Sequence, residues 1–269
     1  MPHDTLAGKT VLISGASEGI GRALALELAA ARVHLALMAR TAARLEETAR
    51  ACEARGAEVL VLPGDVAQRA ACERAVANTV ERFGRLDALV NNAGITMWAR
   101  FDALTDFSVF ERLLAVNYLG AVYLTAAALP HLKAVRGLIV AVASIAGLTG
   151  VPERTGYAAS KHAMIGFFES LRIELQGSGV AVTIIAPDFV VSQIHRRAVG
   201  ADGRPLGVTP MHESRIMTAE ACAQLIVRAM QRRQRLAILS ARGRLGRWAR
   251  LIAPRVVDAV AHRAIRERR

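Results

Sequence analysis

The sequence predicts a single α/β domain in which a parallel sheet carries helices on both faces. Two observations support this prediction. Short apolar runs alternate with longer amphipathic ones along most of the chain, which is typical of repeated strand–helix–strand units. Runs such as residues 11–13 and 139–142 are apolar without alternation, as expected for strands that are buried on both faces. A length of 269 residues with 53% hydrophobic content allows a large core without requiring a second domain.

The elements follow one another in a regular order. Strands are predicted at residues 10–14, 33–39, 58–62, 88–91, 138–143, 180–186 and 236–239, and helices at 20–32, 42–55, 69–83, 107–133, 156–176 and 219–232. The long irregular segment at 187–217 is typical of a lid or binding loop. We therefore predict an α/β domain over residues 1–240 and a separate extension over 241–269.

Three spaced glycines follow the first strand directly. Gly15 allows a tight turn, while Gly19 and Gly21 let the backbone approach a phosphate and let the next helix pack against the sheet. The amides at the start of that helix, near Ile20, point towards the same place. A glycine pattern alone is weak evidence, but its position between a strand and a helix predicts a nucleotide-binding turn.

The residues after the second strand indicate which nucleotide binds. An acidic side chain at this position would accept hydrogen bonds from the adenosine ribose, but the chain has Arg40 and Thr41 there. The planar guanidinium of Arg40 suits a phosphate dianion, and Ser17 in the glycine turn offers a second donor. The sequence therefore favours NADP(H) over NAD(H), although a solvated arginine is the simpler alternative.

Tyr157 and Lys161 are one helical turn apart, so a phenol and an ammonium share one helix face. A cation beside a phenol stabilises the phenolate, and such a phenol can give a proton to a carbonyl oxygen or take one from an alcohol. Ser144, thirteen residues before Tyr157, adds a hydroxyl that can hold the same oxygen. Together with the glycine turn, these side chains predict a nucleotide-dependent redox site.

Over residues 8–240, these motifs resemble those of the short-chain dehydrogenase/reductase family. The resemblance implies a Rossmann-like, doubly wound sheet of about seven strands in the order 3-2-1-4-5-6-7. It also implies that Asn117 acts with Ser144, Tyr157 and Lys161, holding water that links Lys161 to solvent. The cofactor contacts implied by the matching motifs are Gly15, Ser17, Gly19, Ile20, Gly21, Arg40, Thr41, Asp65, Val66, Asn92, Ala93, Gly94, Tyr157, Lys161, Pro187, Val190 and Ser192. The chain departs from the family pattern at Asp188, where glycine is usual.

The resemblance implies hydride transfer between a nicotinamide and a carbonyl carbon, with Tyr157 moving the proton. Residues that flank the motifs are mostly apolar and favour a lipophilic ketone, aldehyde or alcohol as substrate. These residues are Ile95, Trp98, Phe101, Leu148, Val151, Pro152, Phe189, Val190, Ile194 and Met211. Some of them are equally suited to packing against the sheet or a neighbouring subunit. Family members usually assemble as homodimers or homotetramers, here through residues 113–130 and the Tyr157 helix.

The end of the chain is strongly basic. Thirteen arginines follow residue 227 against Asp258 and Glu267, so this region holds eleven of the chain's twelve excess positive charges. Apolar residues interleave with them at helical spacing, interrupted at Pro254. Such a segment suits an anionic lipid surface, an acidic protein, or packing on its own domain with a solvated basic side. No nucleic-acid reading module accompanies the charge, so we expect no nucleic-acid partner.

Other features predict an ordinary cytoplasmic protein. The three scattered cysteines and the seven histidines lack metal-ligand spacing, and residues 1–7 lack the order of an export signal. Residues 113–130 are apolar enough to suggest a membrane span, but we expect a helix buried between the sheet and a partner subunit. The alternative function is a nucleotide-binding scaffold or sensor that acts through its basic end. The Asn117, Ser144, Tyr157 and Lys161 set favours the enzyme.

Overall fold

The computed structural model describes residues 6–209, 211 and 216–266. Its centre is a seven-stranded sheet in the order β3-β2-β1-β4-β5-β6-β7, in which every neighbouring pair is parallel. The strands are β1 (Thr10–Ser14), β2 (His34–Ala39), β3 (Glu58–Pro63), β4 (Ala88–Asn91), β5 (Leu138–Val142), β6 (Ala181–Ala186) and β7 (Leu236–Ile238). Strand number and order agree with the prediction.

Helices cover both faces of this sheet. They are α1 (Gly19–Ala29), α2 (Ala42–Glu53), α3 (Arg69–Phe83), α4 (Ser108–Leu114), α5 (Gly120–Val135), α6 (Thr155–Glu174), α7 (Ala219–Gln231), α8 (Ala241–Ile252) and α9 (Pro254–Arg266). Side chains of α1, α2 and α7 join one apolar core, and those of α3, α5 and α6 join the other. The predicted doubly wound architecture is confirmed, and element ends differ from the prediction by at most three residues.

The predicted helix at 107–133 is not a uniform α-helix. A π-helical segment, Ala115–Leu119, separates α4 from α5 and contains the fully buried Asn117. The Asn117 side chain bonds to the backbone of Ile95 and to Ser160. A local π turn is a common way to place a side chain at a functional site. Here it turns the Asn117 amide towards the loop after β4.

The run from Ser108 to Val135 is the one described helix with the length and apolar composition to cross a membrane, with a mean hydropathy of 1.5 in its most apolar window. Its inner face carries Leu124, Ala128 and Leu132, which are buried against the sheet. Its outer face leaves Leu114 and Leu119 exposed. The helix is therefore one layer of the domain, while the predicted partner subunit on its outer face stays a prediction.

Cysteines contribute to the core as predicted. Cys52, Cys72 and Cys222 are free and buried. Burial in apolar surroundings raises the pKa of the Cys52 thiol to about 11 and those of Cys72 and Cys222 to about 12. These thiols therefore stay protonated at neutral pH and serve as small apolar side chains.

The basic extension forms two helices. Ser240 caps α8 by accepting a hydrogen bond from the Gly243 amide, and the chain turns at Ala253 before α9 begins at Pro254. This break lies where the sequence predicts it, because proline is favoured in the first turn of a helix and disfavoured inside one. The last three residues of the extension lie outside the described residues, as do residues 210 and 212–215 of the predicted lid.

Candidate active site

The glycine turn is closely packed against the loop that follows β4. Gly15 and Gly19 have φ values of +67° and +54°, a backbone region that favours glycine. A Cβ atom on Gly15 would lie 2.8 Å from Ala93 Cα, and one on Gly21 would lie 2.2 Å from the Gly15 carbonyl oxygen. Side chains at these two positions would force the backbone apart, so the close turn requires glycine.

Asn92 holds this turn in place from the side. Its Nδ2 donates to the carbonyl oxygens of Ser14 at 2.9 Å and Gly15 at 3.1 Å. The Ser14 hydroxyl accepts from the amides of Asn92 and Ala93, at 3.0 and 3.1 Å. These bonds join the ends of β1 and β4, where the sheet reverses its direction of winding. In open α/β sheets, ligands bind in the crevice at such a switch point.

Arg40 lies at the end of β2 and, together with Ser17 and Thr41, lines the cavity above the glycine turn. Its side chain is exposed, and among the described residues no carboxylate pairs with it. Glu18, the acidic residue of the turn, pairs instead with Arg44 at 3.1 Å and Arg197 at 2.5 Å. The guanidinium of Arg40 therefore remains available to an anion in the cavity.

Tyr157 and Lys161 lie on the first turns of α6 and are both nearly buried, at 8% and 3% exposed. Lys161 Nζ lies 5.9 Å from the Tyr157 ring centroid and donates to the Val142 carbonyl oxygen at 2.9 Å. The pKa of the Lys161 ammonium is lowered, mainly because the group is buried. Tyr157 opposes this shift, and the positive charge of Arg154 adds to it. The predicted pairing of phenol and ammonium is thus present on one face of the helix.

Asn117 and Ser144, the other two predicted catalytic residues, do not line the cavity. Asn117 Oδ1 accepts from the Ile95 amide at 2.8 Å, and its Nδ2 donates to Ser160 Oγ at 2.9 Å. A Cβ atom on Gly94 would lie 3.2 Å from Asn117 Oδ1 and 3.7 Å from Lys161 Nζ, so Gly94 lets the two side chains approach this loop. Ser144 Oγ accepts from the Ala146 amide at 3.1 Å and keeps its proton for another partner. The water-holding role of Asn117 and the carbonyl-binding role of Ser144 stay predictions.

The start of the lid closes the other side of the cavity. Pro187, Val190 and Ser192 all line it. The carboxylate of Asp188, which replaces the family's usual glycine, receives two bonds from Arg242, at 2.7 and 3.0 Å, and one from Ser240 at 3.1 Å. The aspartate at position 188 therefore ties the start of the lid to the N-terminus of α8.

One cavity brings together nearly all of the predicted cofactor residues. Every one of them lines it except Gly21, which lies directly behind Gly15. Ile95, Val190 and Ile194 supply apolar wall, whereas Phe101 packs on Phe107 and Phe110 at ring centroid distances of 5.8 and 6.2 Å. Sequence reasoning missed Arg154, His195 and Arg197, which also line the cavity. For Arg154, the spacing of three residues before Tyr157 was an available signal.

The chain is similar to a large group of known proteins. The family model for short chain dehydrogenases matches residues 9–201. 11-beta-hydroxysteroid dehydrogenase 1A of Arabidopsis thaliana is 40% identical over 242 residues, which span 86% of this chain and 68% of that protein. 11-beta-hydroxysteroid dehydrogenase A of Sesamum indicum is 35% identical over 266 residues, which span 96% of this chain and 75% of that protein.

Solved structures point to the same family as the sequence matches. A short chain dehydrogenase/reductase from Burkholderia phymatum, in complex with NAD, superposes with a TM-score of 0.78 at 27% identity, over 89% of this chain and 91% of the other. Levodione reductase superposes with a TM-score of 0.76 at 25% identity, over 88% of this chain and 98% of the other. The chain therefore belongs to the short-chain dehydrogenase family of oxidoreductases.

Proposed function

We propose that the protein interconverts a lipophilic ketone or aldehyde and its alcohol, using NADP(H). The observation that carries this proposal is the convergence of the glycine turn, Arg40 and the Tyr157–Lys161 pair on one cavity. The close packing that requires glycine at positions 15 and 21 places the start of α1 at the cavity, where Gly19 and Ile20 line it. Helix N-terminal amides in this position suit a pyrophosphate. When bound, the nicotinamide supplies or accepts the hydride.

Side chains of the protein transfer the proton. Tyr157 gives its phenolic proton to the carbonyl oxygen during reduction and takes a proton from the hydroxyl during oxidation. Lys161, held by the Val142 carbonyl oxygen, stabilises the phenolate formed when the proton leaves. Ser144 does not itself line the cavity; its oxygen accepts from the Ala146 amide, and the family resemblance assigns its hydroxyl proton to the same substrate oxygen.

Apolar walls support a lipophilic substrate. Ile95, Val190 and Ile194 line the cavity. The Trp98 and Phe189 rings do not line it but pack against Arg154, which does. The relatives named as 11-beta-hydroxysteroid dehydrogenases carry names that denote a bulky, apolar secondary alcohol. Both observations favour hydrophobic ketones and secondary alcohols over sugars or charged acids.

The cofactor assignment is tested by Arg40→Asp. With a panel of hydrophobic ketones, we expect the wild type to oxidise NADPH with a higher kcat/KM than NADH. The substitution should lower the kcat/KM for NADPH by about 10- to 100-fold, because a hydrogen bond between charged groups is worth about 1.5–3 kcal/mol. The substitution should change the kcat/KM for NADH little. The matched control is Arg74→Asp, an exposed arginine on α3. Equal losses with both cofactors would remove the phosphate role of Arg40.

We also propose that α8 and α9 contact anionic membrane surfaces. On α8 the apolar side chains Leu245, Trp248 and Leu251 share one face and are 65–72% exposed, so they do not pack on the domain. On α9, Val256 and Val260 are exposed one helical turn apart. Exposed arginines flank these faces, among them Arg244 and Arg247. An amphipathic helix with tryptophan on one side and arginine on the other suits the boundary of an anionic bilayer.

Binding to vesicles tests this contact. The full-length protein should sediment with vesicles containing phosphatidylserine and much less with pure phosphatidylcholine. Changing both Arg244 and Arg247 to Gln should weaken binding by about 30-fold, since each arginine near an anionic surface is worth about 1 kcal/mol. The control changes Arg50 and Arg74, exposed on other helices, in the same way. If the control and the tail variant lose affinity equally, or if neither does, the tail is not the anchor.

The outer faces of α4, α5 and α6 support assembly into a homodimer or homotetramer. Leu114, Leu119 and Ile173 are exposed there. Exposed apolar side chains on adjacent helices are typical of a subunit interface. The side chains proposed for assembly are different from those proposed to contact lipid.

A further inference from the structure

The candidate active site contains a second buried cation, Arg154. Its side chain is 5% exposed, lines the cavity, and lies at the residue that precedes α6. The guanidinium carbon lies 4.4 Å from the centroid of the Tyr157 ring, closer than Lys161 Nζ at 5.9 Å. Arginine is almost never fully buried unless it has partners.

Among the described residues, the rings of Trp98 and Phe189 and the Thr96 hydroxyl contact the guanidinium. Its carbon lies 5.2 Å from the Trp98 ring and 5.5 Å from the Phe189 ring. One terminal nitrogen donates to Thr96 Oγ1 at 2.6 Å, and Thr96 is itself buried. The rings attract the cation through their faces and keep water away from it. The charge is therefore held in a low-dielectric position beside the phenol.

Glu153 fixes the backbone just before Arg154. It has a φ of +62°, unusual for a residue other than glycine. Its carbonyl oxygen accepts from the Ala99 amide at 2.8 Å, and its carboxylate accepts from Trp98 Nε1 at 3.0 Å. These contacts tie the start of α6 to the loop after β4. They leave Arg154 little freedom to move away from Tyr157.

A cation near a phenol interacts differently with its two protonation states. Loss of the phenolic proton places negative charge on the oxygen and the ring, so attraction to the guanidinium is stronger for phenolate than for phenol. Only such a difference changes the reactivity of Tyr157. The guanidinium itself stays charged at all working pH values and neither gives nor takes the proton.

We propose that Arg154 is a positioning residue for proton transfer, because its guanidinium acts through the Tyr157 ring and stabilises the phenolate together with Lys161. The substrate hydroxyl proton passes to the phenolate oxygen in oxidation and returns in reduction, with Arg154 unchanged in both directions. This inference rests on the proposed function, since it assigns Tyr157 the proton.

Other charged and titratable groups near Tyr157 must be separated from Arg154. On α6 there is Lys161, and the start of the lid contributes Asp188 and His195. Asp188 is paired with Arg242 of α8 and Glu153 is bonded to Trp98. His195 lies against the Trp98 and Phe189 rings at 6.5 and 5.9 Å between centroids. Because histidine ordinarily titrates near neutral pH, the test includes His195→Gln.

The pH dependence of kcat/KM measures the effect. In Arg154→Met and Arg154→Gln, the limb that depends on Tyr157 should move to higher pH by about one unit, the lower end of the effect of a nearby cation, since the guanidinium carbon lies 4.4 Å from the ring centroid. The direction is the same for alcohol oxidation, which needs phenolate, and for ketone reduction, which needs phenol. Arg154→Lys, which keeps the charge, should move the limb much less. His195→Gln should leave this limb in place.

A second measurement does not need turnover. With Tyr118 and Tyr123 both changed to Phe, Tyr157 is the remaining tyrosine of the chain, and its ionisation can be followed by the ultraviolet absorption of phenolate. Arg154→Met should raise the midpoint of this titration, while thermal unfolding reports any general loss of packing. The proposal is overturned if the midpoint of the Tyr157 titration does not move in Arg154→Met and Arg154→Gln. It is also overturned if the midpoint moves equally in Arg154→Lys and Arg154→Met. Absence of wild-type turnover contradicts the proposed function instead, and the titration still tests Arg154.

Discussion

Tyr157→Phe is expected to lower kcat/KM for ketone reduction by about 10³-fold, within the range that general acid–base catalysis contributes. The substitution removes one oxygen atom from a side chain that is 8% exposed and whose ring also contacts the Arg154 guanidinium. The phenylalanine ring keeps both the packing and the cation contact. The expected loss therefore comes from the missing proton donor rather than from a change of fold.

Steady-state rates with a hydrophobic ketone, NADPH affinity by fluorescence, and thermal unfolding together check this expectation. Affinity and unfolding temperature should remain close to those of the wild type. Tyr123→Phe, in α5 away from the cavity, serves as the matched control and should keep full activity. Equal turnover by Tyr157→Phe and the wild type would favour the alternative of a nucleotide-binding scaffold, because a scaffold has no chemical need for the phenol.

Local patterns were sufficient to predict the sheet. Unbroken apolar runs such as residues 11–13 mark strands covered on both faces, and here Val11, Leu12 and Ile13 are fully buried. The strand order itself followed from a family resemblance, since periodicity does not say which strands are neighbours. The glycine turn was predictable because its requirement is local: a positive φ at Gly15 and a close backbone approach at Gly21.

What the sequence did not predict depends on contacts between distant segments. The π turn at Asn117 is fixed by Ile95 and Ser160, which are 22 and 43 residues away. Arg154 is held by Thr96, 58 residues away, by the Trp98 ring of the same loop, and by the Phe189 ring of the lid. The Asp188 carboxylate meets Arg242 across 54 residues. The helical and strand periodicities of a sequence do not show which distant residues contact each other.

These distant contacts share one consequence for the site. Thr96 holds the Arg154 guanidinium, whose carbon lies 4.4 Å from the Tyr157 ring centroid, and Val142 holds Lys161 Nζ 5.9 Å from the same centroid. The Tyr157 ring thus has two positive charges within 6 Å of its centre, both held by contacts of the fold itself. Electrostatic preorganisation of this kind costs no rearrangement at the moment of reaction.

Lys161→Met is the second large effect expected. Methionine fills a similar volume but removes the ammonium that stabilises the Tyr157 phenolate, so kcat should fall by about 10²- to 10³-fold. The KM for NADPH should rise as well, since Lys161 lines the cofactor cavity next to Gly94. The Val142 carbonyl oxygen loses its donor from Lys161, which should cost about 1–3 kcal/mol of unfolding free energy.

Kinetics and denaturant unfolding of the same samples separate these effects. Lys133→Met, at an exposed position on α5, is the matched control and should change neither the kinetic constants nor the free energy of unfolding. A drop in stability without a drop in kcat would mean that Lys161 serves the fold alone. Because Arg154 remains beside the ring at 4.4 Å, some activity should survive in Lys161→Met, and it should fall further when Arg154→Met is added. If the double variant loses no more activity than Lys161→Met, Arg154 does not act on the phenol that Lys161 stabilises.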